Sequence, residues 1–150
     1  MELILWRHAE AEDGINDLAR ELTPKGRKQA AKMAGWLNER LPKECKVLTS
    51  PAVRAKQTAS ALGRPFEIVP AISPGASREE VIETVGWPGD DDGFVLVAGH
   101  QPTLGEVAAW LLNSDGSLSI RKAGVWWFSS RNKVAGNEVI LRAVMTPDLL

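Results

Sequence analysis

Short apolar runs that stop at chemistry-bearing residues, each followed by the opening of a helix, constrain this chain more than any other feature. Leu3 to Trp6 is such a run and stops at Arg7-His8. Val47 to Thr49 stops at Ser50-Pro51, and Phe94 to Ala98 stops at Gly99-His100. Continuous apolar runs of this kind, bounded by turn-formers, read as strands buried on both faces. Thr23-Pro24 then pairs a good N-cap with a residue suited to the first helical position. Ala30, Met33, Ala34, Leu37 and Leu41 follow at helical spacing as a buried stripe. Ser50-Pro51 repeats the cap-plus-proline pattern, opening a helix with Val53 and Leu62 inward. Phe66, Ile68 and Val69 suggest a third strand, stopped by Pro70. Ser77-Arg78-Glu79-Glu80 has the form of a capping box and opens a helix burying Val81, Ile82 and Val85. Thr103 begins another helix, with Leu104, Val107, Ala108 and Leu111 inward. Val125 to Phe128 and Val139 to Val144 read as two strands around a polar turn containing Asn132, Gly136 and Asn137.

Strands alternating with helices imply an α/β, three-layer αβα architecture: a mostly parallel sheet, helices on both faces, and an antiparallel edge pair. The 150 residues suit one domain, 1–150, and show no repeat, low-complexity tract or linker. With 18 basic and 19 acidic residues the formal net charge is -1, which leaves no global field to draw the protein onto nucleic acid or an acidic membrane. No apolar run approaches the roughly 20 residues of a membrane span, and no signal peptide is legible. The lone Cys45 excludes an internal disulfide framework, so the expected compartment is the cytoplasm.

In sheets of this kind ligands bind beyond the carboxyl ends of the strands. Both histidines of the chain fall at such ends. If the ends meet, they enclose Arg7, Arg54, His8, His100 and the N-terminus of a helix beginning at Pro51. Guanidinium groups fork onto phosphate oxygens, and a helix N-terminus offers free N–H groups. A phosphoryl group uses all of these donors, and no metal-ligand spacing is present. A neutral imidazole is a competent nucleophile near pH 7. One histidine can therefore accept the phosphoryl group while the arginines and the other histidine, protonated, stabilise its oxygens. Gln101 is a further candidate phosphate ligand, through its side chain or backbone N–H. Asp90-Asp91-Asp92 reads as a solvated loop, and Lys25, Arg27, Lys28 and Lys32 read as the solvent face of a helix.

At these residues the chain resembles a known family. Leu5-Trp6-Arg7-His8-Ala9-Glu10-Ala11 is similar to the signature region of the histidine phosphatase (phosphoglycerate mutase-like) superfamily. Ala9 stands where glycine is usual, a form familiar in its SixA-like, phosphohistidine phosphatase branch. Leu22-Thr23-Pro24-Lys25-Gly26 resembles the next block, and Ser50-Pro51-Ala52-Val53-Arg54-Ala55-Lys56-Gln57-Thr58 resembles its S-P-x-x-R-A-x-Q-T block closely. Ala98-Gly99-His100-Gln101-Pro102 and Lys122-Ala123-Gly124 resemble the later ones. The resemblance implies His8 as nucleophile, Arg7, Arg54 and His100 as phosphoryl ligands, and no cofactor.

The general acid is the open role. Phosphate monoesters leave as strongly basic alkoxides and gain from a positioned carboxylic acid. The candidates are Glu79, Glu80 and Glu83 on the helix after Pro70, and Glu10, Glu12 and Asp13 in the loop beyond His8; a capping role already accounts for Glu80. A phosphohistidine substrate relaxes the requirement, because imidazole is a weaker base than an alkoxide. The short chain, with little material for a lid, also suits a phosphorylated protein as substrate. The competing readings are a phosphatase of small phosphate esters, such as a sugar phosphate or nucleotide, and a non-catalytic phosphate- or phosphoprotein-binding module.

Overall fold

The apolar runs become the central strands of one six-stranded sheet, in the order β3-β2-β4-β1-β5-β6. The computed structural model describes residues 1–89, 92–134 and 136–150. The strands are β1 (Glu2–Arg7), β2 (Lys46–Thr49), β3 (Glu67–Ile68), β4 (Phe94–Gly99), β5 (Val125–Lys133) and β6 (Gly136–Met145). The first four run parallel, and β5 and β6 form the antiparallel pair at one edge. The α-helices are α1 (Pro24–Asn38), α2 (Val53–Ser60), α3 (Arg78–Val85) and α4 (Thr103–Leu111), and short 3-10 turns at Asp17–Ala19, Pro70–Ile72 and Pro147–Leu149 complete the elements. Three layers result, as expected.

The two faces follow from alternation along each strand. Ile4 and Trp6 of β1 join Val47, Leu96, Val125 and Trp127 beneath α1 and α2. Leu3 and Leu5 point the other way, joining Leu48, Val97 and Phe128 beneath α3 and α4. All four of these β1 side chains are fully buried. Trp126 and Trp127 accordingly lie on opposite faces, with Trp127 in the core.

The cap chemistry is realised in two helices. Thr23 Oγ1 accepts from the Gly26 N–H at 2.9 Å to start α1. In α3 Ser77 and Glu80 complete a reciprocal capping box, and Gly86 closes the helix with φ 69°.

Three expectations need correction. Ser50-Pro51 does not cap α2: the helix starts at Val53, because the Ser50 hydroxyl accepts from Ala52 N and faces His100 instead. The buried side of α2 is Arg54, Ala55, Thr58 and Ala59, with Val53 only half-buried. The expected polar turn is sheet, with Asn132 opposite Asn137 and Lys133 opposite Gly136, because main-chain pairing at an exposed edge tolerates polar side chains. Asp90 and Asp91 lie outside the described residues.

Candidate active site

Three adjacent strand ends form the floor of the site. The sheet ladder runs on past the strands, with His8 N donating to Gly99 O at 3.0 Å and Ser50 N to Ala98 O at 3.1 Å. This register sets His8, Ser50 and His100 side by side. The two imidazoles face each other with centroids 5.2 Å apart and planes inclined by 53°. The chain beyond His8 is held from both sides: Ala123 N donates to His8 O at 3.1 Å, and Ala9 N donates to Thr58 Oγ1 at 3.0 Å. Trp6 Nε1 in turn donates to Ala123 O at 2.9 Å.

Hydrogen bonding fixes the tautomer of His8. Its Nδ1 lies 2.7 Å from Ala9 O, and a carbonyl only accepts, so Nδ1 carries the proton and Nε2 keeps its lone pair. Burial lowers the His8 pKa to about 4, helped by the charges of Arg54, Arg7 and Arg20 and opposed by the Ala9 hydrogen bond. His8 is therefore neutral at pH 7. His100 is lowered further, to about 3, by burial first and then by His8 and Arg54. Desolvation and the surrounding cations thus disfavour a charge on His100. Its Nε2 sits 2.7 Å from Ser50 Oγ.

The arginines meet the histidines electrostatically, since Arg7 and Arg54 both act on both rings. Arg54 is 4 % exposed although it lies in the first turn of α2. Arg7 Nη1 donates to Ile120 O at 2.8 Å; Glu10, a conceivable partner for it, instead accepts from Thr23 Oγ1 at 2.8 Å. Among the described residues, the buried side-chain polar atoms without a hydrogen-bond partner are Arg7 Nε, Arg54 Nε and His100 Nδ1. Leaving a buried donor unsatisfied costs about 1–3 kcal/mol. Three such atoms, all in one cluster, mark a place shaped for an acceptor-rich ligand.

Three of the expected acids are engaged by other partners. Glu80 is spent on the α3 cap, Glu79 pairs with Arg78 at 2.9 Å on the surface, and Glu10 is tied to the start of α1. Glu12 offers its backbone carbonyl to Arg20, and neither Glu12 nor Glu83 makes an ion pair among the described residues. The carboxylate that does touch the cluster is Asp17, which the sequence reading missed. Asp17 O accepts from Arg54 Nη1 at 2.7 Å and Oδ2 from Nη2 at 3.2 Å, while Oδ1 accepts from Arg20 Nη1 at 3.0 Å. Arg20, and then Arg54, hold its carboxyl below the usual range. The signal available beforehand was length: the connection from β1 to α1 exceeds the 2–6 residues usual in α/β units. The side chain of Gln101 is also accounted for. Its Nε2 donates to Leu118 O and its Oε1 accepts from Gly105 N, both at 2.8 Å, so the expected side-chain contact with a phosphate is corrected.

A buried imidazole with a free Nε2, facing a second imidazole between two arginines at the ends of parallel strands, is the arrangement of a phosphoryl-handling α/β protein. The model of the histidine phosphatase superfamily (branch 1) matches residues 3–79, and the chain belongs to this family. A Haemophilus influenzae protein named as a phosphohistidine phosphatase SixA homolog is 31% identical over 140 residues, covering 83% of this chain and 85% of that one. A structure of the protein histidine phosphatase SixA complexed with tungstate superposes with a TM-score of 0.83 at 25% identity, covering 99% of both chains. A mycobacterial glucosyl-3-phosphoglycerate phosphatase shares the fold, with a TM-score of 0.70 at 20% identity over 95% of this chain and 97% of that one. Among the described residues, no helix is long and apolar enough to cross a membrane.

Proposed function

We propose that this protein is a metal-independent phosphatase that removes the phosphoryl group from phosphohistidine in a partner protein, through a phosphoryl intermediate on His8. His8 Nε2 attacks phosphorus in line as the P–N bond to the substrate imidazole breaks. With its distal nitrogen protonated, that imidazole departs neutral and needs no acid at the leaving nitrogen. Water then attacks phospho-His8, giving inorganic phosphate and restoring the imidazole. Arg7, Arg54 and His100 bind the phosphoryl oxygens, and the backbone N–H of Gln101 remains available to them. His100 need not be charged for this. If the Ser50 hydroxyl donates to Nε2, the neutral ring carries its proton on Nδ1, the atom that lacks a partner.

The observation that carries the reading is Asp17. The carboxylate in contact with the cluster is held ionised by two guanidinium groups, and a carboxylate so held is a poor proton donor to a departing alkoxide. That favours a leaving group that departs unaided. Tungstate, a tetrahedral oxyanion, bound to a SixA protein of the same fold supports an oxyanion in the cluster. The small-ester alternative is favoured by the fold shared with a glucosyl-3-phosphoglycerate phosphatase and draws on the same pocket. A chemically phosphorylated histidine peptide and a phosphoserine peptide of matched sequence decide between the two. The phosphohistidine peptide should turn over at least about 100-fold faster in kcat/KM, near the 2.7 kcal/mol that a missing acid can cost. Equal rates would favour small esters, and tight binding of either with no turnover would favour the binding module.

A further inference from the structure

The lysines read as a plain solvent face have a definite setting. Lys25, Lys28 and Lys32 share one edge of α1, since residues three and four apart stack on a helix. That edge walls a groove of about 560 Å³, whose lining also includes Arg121, Lys122, Pro147, Asp148 and Arg7. The groove therefore opens onto a residue that also acts on both imidazoles. Its single acid among the described residues, Asp148, pairs with Arg121 at 3.5 Å. Lys32 Nζ reaches a main-chain oxygen of Leu150 at 3.4 Å, and neither Lys25, Lys28 nor Lys122 makes an ion pair among the described residues. In a chain of formal net charge -1 this is segregated charge.

The shape narrows the occupant. From Lys25 to Lys32 α1 rises about 10 Å, the span of about three extended residues. No aromatic side chain lines the groove to stack a base, as a nucleotide site would favour. The cations sit exposed on long flexible stems, which suits an extended run of carboxylates more than a compact small molecule. We propose that this groove docks an acidic polypeptide segment adjoining the phosphorylated residue, with its carboxylates on Lys25, Lys28, Lys32 and Lys122. The identity of the substrate as a protein rests on the phosphohistidine reading above. Charges at such a rim act mainly on encounter and on salt dependence.

Two histidine dodecapeptides, one with four glutamates beside the histidine and one with glutamines in their place, test the groove by fluorescence anisotropy in unphosphorylated form. At low salt the glutamate peptide should bind the wild-type protein about tenfold tighter, and added salt should erode that preference. The preference should disappear in K25Q/K28Q/K32Q. It should persist in K43Q/K46Q/K133Q, which removes the same charge from the opposite end of the sheet. Equal affinities in the wild type, or a preference that survives in the groove variant, would overturn the proposal. Unchanged hydrolysis of phosphoramidate by both variants shows that they fold. The phosphorylated peptides separate the two readings. If the wild type cleaves phosphoramidate but neither phosphopeptide, the phosphohistidine-protein reading fails whatever the binding shows.

Discussion

The floor of the site and the loop above it are built on opposite principles. On the floor, His8, Ser50, Arg54 and His100 are all buried, and the main chain beyond His8 is pinned by Ala123, Thr58 and the ladder of β4. The loop between β1 and α1 is anchored at its base by a bridge between Ala11 and Leu22, yet its tip exposes Ile15 fully and Leu18 by half. Asp17 spans the two, with a half-exposed carboxylate on a fully buried guanidinium. The contrast fits chemistry carried on the packed floor with an exposed loop over it, as is usual for sites carried by rigid scaffolds.

Five experiments bear on that division, from the largest expected effect downward. His8→Ala should lower kcat by at least about 10⁴, because His8 is the proposed acceptor of the phosphoryl group. Quenching wild-type turnover in alkali should trap phosphate on His8 by mass spectrometry; phosphate on any other residue would break the assignment of chemistry to the floor. Arg54→Ala should lower kcat/KM by about 10²–10³, the usual cost of losing one preorganised donor to a developing oxyanion. An effect below tenfold would make Arg54 a mere tether for the loop.

The third experiment concerns pH. Folding lowers the pKa of His8 from 6.5 to about 4 and that of His100 to about 3. The unfolded chain therefore binds more protons than the folded one as pH falls below about 6.5. Stability is fully present above that pH and declines as the solution is acidified toward pH 4. A loss of about 3 kcal/mol follows from His8 alone, at 1.36 kcal/mol per unit. Urea midpoints between pH 7.5 and 4.5 measure it, and His8→Asn with His100→Asn should flatten the slope. An unchanged slope would mean that the floor is wetter than its burial indicates.

Asp17→Ala should lower kcat/KM on a phosphohistidine peptide by about tenfold, through a guanidinium no longer fixed in plane, a smaller loss than for a fully buried charged pair. A loss beyond about 100-fold confined to phosphate esters would identify Asp17 as an acid after all. Glu80→Gln should leave turnover within about twofold and cost at most about 1 kcal/mol of stability, since it trims only the α3 cap. A collapse of activity would restore Glu80 to the site.

The two histidines of the floor were legible in the sequence because each sits where a short apolar run ends, and strand ends in a parallel sheet meet by topology. His8, Arg7, Arg54 and His100 needed no knowledge of side-chain placement to be set together. Asp17 was not legible, because it reaches Arg54 through a loop whose path depends on tertiary contacts. Ser50 was read as a cap because serine before proline does that locally; its pairing with His100 spans 50 residues and leaves no local trace. Gly26 shows the same limit. A Cβ there would lie 2.0 Å from Glu10 O, so glycine is what allows α1 to dock against the loop, and only the packing reveals it.

One side chain of the core reaches further than its packing suggests. The Trp6 indole donates to the carbonyl of Ala123, whose amide donates to the carbonyl of His8. Enlarging or trimming the hydrophobic layer under α1 would shift this relay and so alter the aim of His8 Nε2. Repacking Trp6 should therefore lower turnover as well as stability.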